Sequence, residues 1–477
     1  MKNEKRILNI ISIIMVVTVF IILPQLMRLN DGNATIMGEE PYYHALAAES
    51  IGGKSSIQRE PPLSSDEYIH ITPYHLLIAG TSNITGMDFA LRMIPLICGI
   101  FSGVLFFLIL KRLGLNDFIS KASVVLLASA PVFVFSFIAT QDSFAIVLSL
   151  AGAYFFLKNK RFGVILSALF FGLASMFSLF NMLLIIVSLL AFSFSQKKMQ
   201  RRSMFLMMIS LIAYSINPGP IFYNLFMLSP NALKQAISDI GGILGIGIFY
   251  AILALIGFAL TWKDIGKYKA VYAVLAFFAA GFYFAGSHIL MYANFIIAFL
   301  AAVALERLNQ RKWDMQMIKN FTFFIIACGI LFSFISYSAR ISLMPPNQEI
   351  EEGLIWLGDN SREDSIVASH YSNGYYIEYY SRLEALIDSS MLHHERPESV
   401  FLDAYDLFHA TEMGRARAII ERYDIKYIMI TDDMVRGDVW QEDGEGLLRL
   451  LDNKEVFSMA YDSDEIEVWR YIEPLSQ

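Results

Sequence analysis

The chain has 477 residues, 56% of them hydrophobic and 17% charged, with a formal net charge of −7 and a mean hydropathy of +0.50. A soluble domain sits nearer roughly 45–50% apolar and about a quarter charged, so a wholly water-soluble globule is excluded. The lack of any dominant basic face excludes nucleic acid as a partner. Two cysteines, Cys98 and Cys328, each lie inside an apolar run. They exclude a disulfide framework or a Cys-based metal site and are expected to be small buried hydrophobes.

The N-terminal MKNEKR precedes the apolar stretch Ile7–Met27. That stretch is too long for a signal-peptide core, and no small-residue cleavage site follows it. A retained first membrane helix is expected. Further apolar segments are predicted to span at about 87–110, 118–139, 142–157, 162–177, 179–195, 203–217, 241–262, 270–286, 288–305 and 321–339, each near the roughly 20 residues a bilayer needs. The run 162–195 is too long for one helix and short for two; two are expected.

The connecting loops alternate in charge. Lys111/Arg112/Lys121, Lys158/Lys160/Arg161, Lys197/Lys198/Arg201/Arg202, Lys263/Lys267/Lys269 and Arg307/Arg311/Lys312/Lys319 fall on the side of Lys2/Lys5/Arg6 when about eleven spans are counted. The positive-inside rule makes that side the cytoplasm. The loop 30–86 and everything after residue 341 are then extracytoplasmic. Two domains are expected: 1–340, a transmembrane domain carrying the outer loop 30–86, and 341–477, a soluble extracytoplasmic α/β domain. Residues 345–477 carry 29 Asp/Glu against 11 Lys/Arg.

The outer loop opens with Glu39 and Glu40 and then Pro41–Ser50, which has helix-forming composition with proline near its start. Two loop glutamates are ordinarily just solvated. Asp142 is more unusual, interrupting an apolar stretch where a carboxylate is costly unless paired, hydrated or bound to a cation. It can also cap the helix that follows. Carboxylates from separate outer loops suit Mg²⁺ or Mn²⁺, with Glu40 and Asp142 the candidate metal ligands. Arg92 and His288, near outer ends of spans, and Lys234, in a proline-broken outer loop (Pro218, Pro220, Pro230), are candidates to meet an anionic group; snorkelling explains Arg92 equally well. Asn33, Asn83 and Asn320 open Asn-X-Thr triplets, the first two on the expected outer side.

In the last third, 350–358 is predicted to be a short helix, 365–371 a strand, Ser372-Asn373-Gly374 a turn, 375–381 a strand or helix, 407–425 helical, and 426–431, 456–459 and 466–471 strands. His393, His394 and Glu395 form a weak candidate metal group.

The residues resemble GT-C glycosyltransferases, multi-span enzymes that take sugars from polyprenyl-(di)phosphate carriers. Glu39-Glu40-Pro41-Tyr42-Tyr43-His44 is similar to an Asp-Pro-Tyr-Tyr-His stretch of the archaeal oligosaccharyltransferase catalytic subunit, with Glu40 in place of the aspartate. With Arg59–Leu63, Thr72–Leu77 and Leu91–Pro95 it also looks like the protein mannosyltransferase and aminoarabinose transferase branch. Asp142 stands where that resemblance implies a second acidic motif. The stretch 352–388 is similar to the region around the WWDYG motif, whose five positions are here His370-Tyr371-Ser372-Asn373-Gly374; only the glycine matches. Ser372 replaces the aspartate that in the family helps hold the acceptor, which counts against recognition of an Asn-X-Ser/Thr acceptor. The family's other C-terminal acceptor motif has no evident counterpart, and its Ser-Val-Ser-Glu motif has at most Ser229-Pro230-Asn231-Ala232.

The resemblance implies an integral membrane glycosyltransferase moving a sugar or oligosaccharide from a polyprenyl-linked donor to a protein or lipid acceptor. It implies Glu39, Glu40 and Asp142 as catalytic acids, Arg92, His288 and Lys234 toward the donor phosphate, and 370–374 as acceptor region. Two other readings stand beside it: a non-catalytic scaffold or degenerate relative in cell-surface glycan assembly, and a transporter. The absence of internal repeats and of paired interrupted helices disfavours the transporter.

Overall fold

The computed structural model describes residues 2–51, 71–138, 140–158, 160–196, 199–218, 232–389, 398–441 and 444–472. Arg59–Leu63, Pro220, Ser229–Asn231, Lys197/Lys198 and the His393/His394/Glu395 group lie outside them. The helices in chain order are α1 (Lys2–Asn30), α2 (Glu40–Ile51), α3 (Pro73–Thr85), α4 (Met87–Arg112), α5 (Asp117–Ala128), α6 (Pro131–Phe135), α7 (Gln141–Leu157), α8 (Arg161–Ser175), α9 (Leu179–Ser195) and α10 (Gln200–Ile216). They continue with α11 (Ala232–Gln235), α12 (Ile248–Trp262), α13 (Lys269–Ala285), α14 (Leu290–Gln310), α15 (Gln316–Ser342), α16 (Gln348–Asn360), α17 (Gly374–Tyr376, running on as a π-turn over Ile377–Ser381), α18 (Glu398–Phe408), α19 (Met413–Arg422) and α20 (Leu447–Leu451). Strands are β1 (Ile366–Ala368), β2 (Glu384–Ala385), β3 (Ile425–Thr431), β4 (Phe457–Asp462) and β5 (Ile466–Tyr471).

Packing groups the chain into two units, Met1–Asp31 with Thr72–Leu77 and Asp88–Ser342, and Gly32–Ile71 with Ile78–Met87 and Leu343–Gln477. Of the described outer-loop residues, 32–51 and 78–86 group with the C-terminal residues and 72–77 with the helices.

The first unit is helical. Among the described residues four helices are long and apolar enough to cross a membrane: Ile7–Asn30, Met87–Arg112, Gly286–Gln310 and Gln316–Ser342; five shorter apolar helices accompany them. Their outward faces carry large apolar side chains in the open, such as Ile165 at 66%, Leu255 at 67% and Phe332 at 72% exposure. Such a surface is unstable in water and at home in lipid. The chain is built as an integral membrane protein. Cys98 is buried as expected, whereas Cys328 is exposed on α15, among that lipid-type face.

Local chemistry sets the breaks. The run 118–139, expected as one span, splits at Pro131, which lacks the amide needed to continue α5 and sits instead at the start of α6. The run 162–195 divides at Ser178, whose hydroxyl accepts from Asn181 N at 3.2 Å and caps α9. The span expected from 241 starts its helix only at Ile248, whose amide is capped by Asp239 Oδ2 at 2.6 Å.

α12 and α14 approach closely because Gly257 has no side chain. A Cβ there would lie 1.9 Å from Leu300 O and 2.5 Å from Leu300 C. Small residues drive such contacts in membranes, where lipid is as apolar as leucine. Tyr250 Oη donates to Asn294 Oδ1 at 2.6 Å in the same interface. Gly257→Leu is expected to cost about 3 kcal/mol, since backbone must give way, and Tyr250→Phe under about 1 kcal/mol. Thermal unfolding of the two variants in one detergent checks the order.

The second unit holds a five-stranded sheet of order β2-β1-β3-β5-β4, parallel at β2-β1-β3 and antiparallel at β3-β5-β4. β3 is almost wholly apolar, IKYIMIT, as a central strand covered on both faces should be. Ile428 and Ile430 join Leu407, Phe408, Ile419, Ile420 and Trp440 in a core under α18 and α19. Trp440 Nε1 donates to Phe408 O at 2.9 Å. On α16, Gly353 meets Ile466 and Tyr461, and Gly358 meets the backbone of Ser381. The segment 375–381, open between strand and helix in the sequence, is helical. Its tyrosines pack against Tyr42 and Tyr43 of α2, a use that alternation along a strand would not allow.

Candidate active site

In the second unit the site begins with Glu39. Its carbonyl accepts from Tyr42 N at 3.0 Å and Tyr43 N at 3.3 Å, so it caps the first turn of α2. Its carboxylate Oε2 accepts from Ser389 Oγ at 2.5 Å. Burial pushes the Glu39 carboxyl up to about 7; Ser389 opposes that, and the Glu40 and Asp388 carboxylates add to it. Asp388 is fully buried.

Gly374, the last of the positions 370–374, packs against Ile387 and Asp388. A Cβ on Gly374 would stand 2.5 Å from Asp388 Cβ and 2.6 Å from Ile387 O, so only glycine lets the two stretches pass. Burial, then Glu39, then Asp438 raise the Tyr371 phenol. That residue therefore feels the loop acid and the acid beyond β3 together. His370 Nδ1 and Ser372 Oγ are 2.8 Å apart, and burial holds His370 below its ordinary value against the pull of Asp438. Asn373 Nδ2 donates to Ser369 Oγ at 3.0 Å and lies 3.6 Å from Met434 Sδ. Glu39 is thus within electrostatic reach of Tyr371, one of the five positions 370–374. The sequence offered no sign of Asp388, Ser389, Met434 or Asp438 as their neighbours.

Glu40 Oε1 stands 3.7 Å from His44 Nε2. His44 is 1% exposed, and burial pushes it down to about 3. Near neutral pH the ring is uncharged, so the contact is dipolar rather than an ion pair.

Glu39 gives a pH prediction. A carboxyl whose native value lies above its unfolded 4.5 favours the native state while protonated. That contribution is whole below about 4.5 and is lost as pH rises to about 7. Glu39→Gln does not titrate, so its stability relative to wild type should climb across that window and level off above it. The full change is about 3 kcal/mol. Melting temperatures in EDTA from pH 4.5 to 8.5 check it; a constant difference would refute it.

In the first unit, Asp142 is the second residue of α7, in its first turn, where the helix dipole favours an acid. Thr140, rather than Asp142, occupies the cap position. Tyr292 Oη donates to Asp142 Oδ1 at 2.5 Å. The Tyr292 ring meets Phe180 edge-on at 5.3 Å, and neighbouring Asn181 Nδ2 donates to Ser178 Oγ at 3.0 Å. His288 is exposed and interacts electrostatically with Asp142. Asp142 and His288, separate in sequence, are therefore brought together. Arg92 is half-buried in the second turn of α4, and Lys234 is exposed on the one-turn α11.

No family model matches the sequence, and no curated protein matches it. Solved structures do match in fold. The Archaeoglobus fulgidus oligosaccharyltransferase tethered to an acceptor peptide with the NVT sequon is 11% identical at a TM-score of 0.64, covering 98% of this chain and 74% of that one. The oligosaccharyltransferase AglB of the same organism, in complex with an inhibitory peptide and a dolichol-phosphate, is 13% identical at 0.63 over 98% and 74%. ArnT from Cupriavidus metallidurans bound to undecaprenyl phosphate is 11% identical at 0.55 over the whole of both chains. With two such neighbours matched along nearly its full length, the chain has the fold of the GT-C glycosyltransferases.

Proposed function

We propose that the chain is a glycosyltransferase moving a sugar or oligosaccharide from a polyprenyl-(di)phosphate carrier to a protein or lipid acceptor on the extracytoplasmic face. The observation that carries this reading is the Glu39 carboxyl. It is buried against Ser389, raised to about 7 and within electrostatic reach of Tyr371 in the expected acceptor segment. A base is most effective when its value lies near the working pH. The fold supports it, since the matched structures hold dolichol-phosphate, undecaprenyl phosphate and an acceptor peptide. Eleven spans with a cytoplasmic N-terminus and an outer C-terminal domain complete the reading.

In the step itself the acceptor N–H or O–H gives its proton to Glu39. The acceptor atom bonds to the sugar's anomeric carbon, and the carbon–oxygen bond to the carrier phosphate breaks, its electron pair staying on the phosphate. Arg92, His288 and Lys234 are assigned to that phosphate, and 370–374 to the acceptor. Glu40 and Asp142 are assigned as ligands of Mg²⁺ or Mn²⁺. Among the described residues no three His, Cys, Asp or Glu side chains close into a cage. Mg²⁺ needs none, being held by one or two carboxylates with substrate phosphates and water, and single acids fit that donor set. When bound, the ion offsets charge developing on the leaving phosphate.

The test is release of carrier phosphate from lipid-linked sugar by purified protein in proteoliposomes. Release that depends on acceptor supports the reading; none in wild type sinks it. The second reading, a non-catalytic scaffold, is favoured by Ser372, whose hydroxyl meets His370 where the family has a carboxylate. It requires that Glu40 and Asp142 be replaceable without loss of cell-surface glycan.

A further inference from the structure

Glu39 heads α2, so whatever sets that helix sets the acid. Tyr42, three residues on, is 1% exposed. Its ring lies 5.2 Å from those of Tyr376 and Tyr379 and 5.3 Å from that of Tyr380. Its hydroxyl meets Tyr380 Oη at 2.9 Å and donates to Ile36 O at 3.1 Å. This is a pivot, because a ring held on three sides resists translation more than tilt. The far end of the helix is tied separately. Arg382 Nη1 and Nη2 donate to Glu49 Oε2 at 2.5 Å and Oε1 at 3.2 Å, a two-pronged contact with a carboxylate that is only 15% exposed. The guanidinium lies 5.3 Å from the Tyr379 ring centroid. Arg382 also holds φ +62°, left-handed backbone that a non-glycine residue seldom adopts. Strain of that kind persists where surrounding contacts enforce it.

We propose that Arg382 and Glu49 are positioning residues, a latch that fixes the tilt of α2 and thereby the place of Glu39 and Glu40; the inference rests on the glycosyltransferase reading. At 1.5 Å per residue, Glu49 lies about 10 Å from the pivot and Glu39 about 4.5 Å on the other side. A tilt of about 10° would carry Glu39 a little under 1 Å, and a misplacement of about 1 Å can cost about 100-fold in rate.

The experiment compares Arg382→Glu, Glu49→Arg and the double charge swap in full-length protein. It reads kcat and acceptor KM for carrier release, and hydrogen exchange of residues 40–51. Each single variant should lose about 10- to 100-fold in kcat with KM within about 3-fold, and exchange in α2 should quicken. The swap should recover at least about 5-fold in kcat and most of the protection. A merely stabilising pair would not separate kcat from KM. Single variants with wild-type kcat, or exchange in α2 unchanged by breaking the pair, overturn the latch. Wild type that releases no carrier overturns the glycosyltransferase reading instead. In that case the exchange arm, which needs no turnover, still decides whether the pair sets α2.

Discussion

The double variant Glu40→Gln, Asp142→Asn is expected to lose at least about 10³-fold in carrier release while staying folded. Both acids are the assigned ligands of the ion, whose charge offset is worth several kcal/mol, about tenfold in rate for each 1.4 kcal/mol. Both replacements keep size and shape. Asn at 142 still offers an oxygen to Tyr292 Oη, now at 2.5 Å from Asp142 Oδ1, so the α7–α14 contact survives. Gln at 40 keeps a carbonyl toward His44, whose ring is uncharged near neutral pH. The check is single-turnover release beside a melting curve. A folded variant that turns over within about 10-fold of wild type would remove both acids from the chemistry. A variant that melts much lower would mean that the acids serve folding.

What the sequence disclosed follows the range of the forces involved. Helices in lipid announce themselves over about 20 consecutive residues, so the apolar segments were legible, and Pro131 and Ser178 are local signals for two of the breaks. Asp142 stood out because charge inside an apolar run is rare, and Glu39 and Glu40 through the resemblance carried by their Glu-Glu-Pro-Tyr-Tyr-His stretch. Their surroundings were not legible. Ser389 reaches Glu39 across 350 residues of chain, and Tyr292 reaches Asp142 across 150. No spacing rule links such pairs. The tyrosine run 375–381 was ambiguous for another reason. Aromatic residues favour strands by propensity, but context overrides it, and here the run is a helix packed on Tyr42 and Tyr43. Asp438 escaped because an acid in an acidic domain carries no mark until the fold sets it beside His370 and Tyr371.

Gly374, the one position of the five that matches the resembled motif, should not tolerate even a methyl side chain. Its φ is −54°, so no unusual backbone demands glycine there; space does. An alanine methyl would meet Asp388 Cβ at 2.5 Å, Ile387 O at 2.6 Å and Asp388 Cα at 2.7 Å. Two of these are backbone atoms and cannot swing aside. Either the first turn of α17 or the 387–389 stretch must move, at about 3 kcal/mol by comparison with overpacked cores. Ser389 would then leave Glu39, removing the hydrogen bond that opposes the upward push on that carboxyl. Gly374→Ala should therefore combine a lower melting temperature with a shift of the Glu39-dependent pH window to higher pH. Gly414→Ala is the control. Nothing lies within 4 Å of its added methyl, and in α19 the change should be neutral or stabilising by up to about 1 kcal/mol. If Gly374→Ala melts with wild type and leaves the window in place, the passage of α17 over Asp388 is not what holds Glu39.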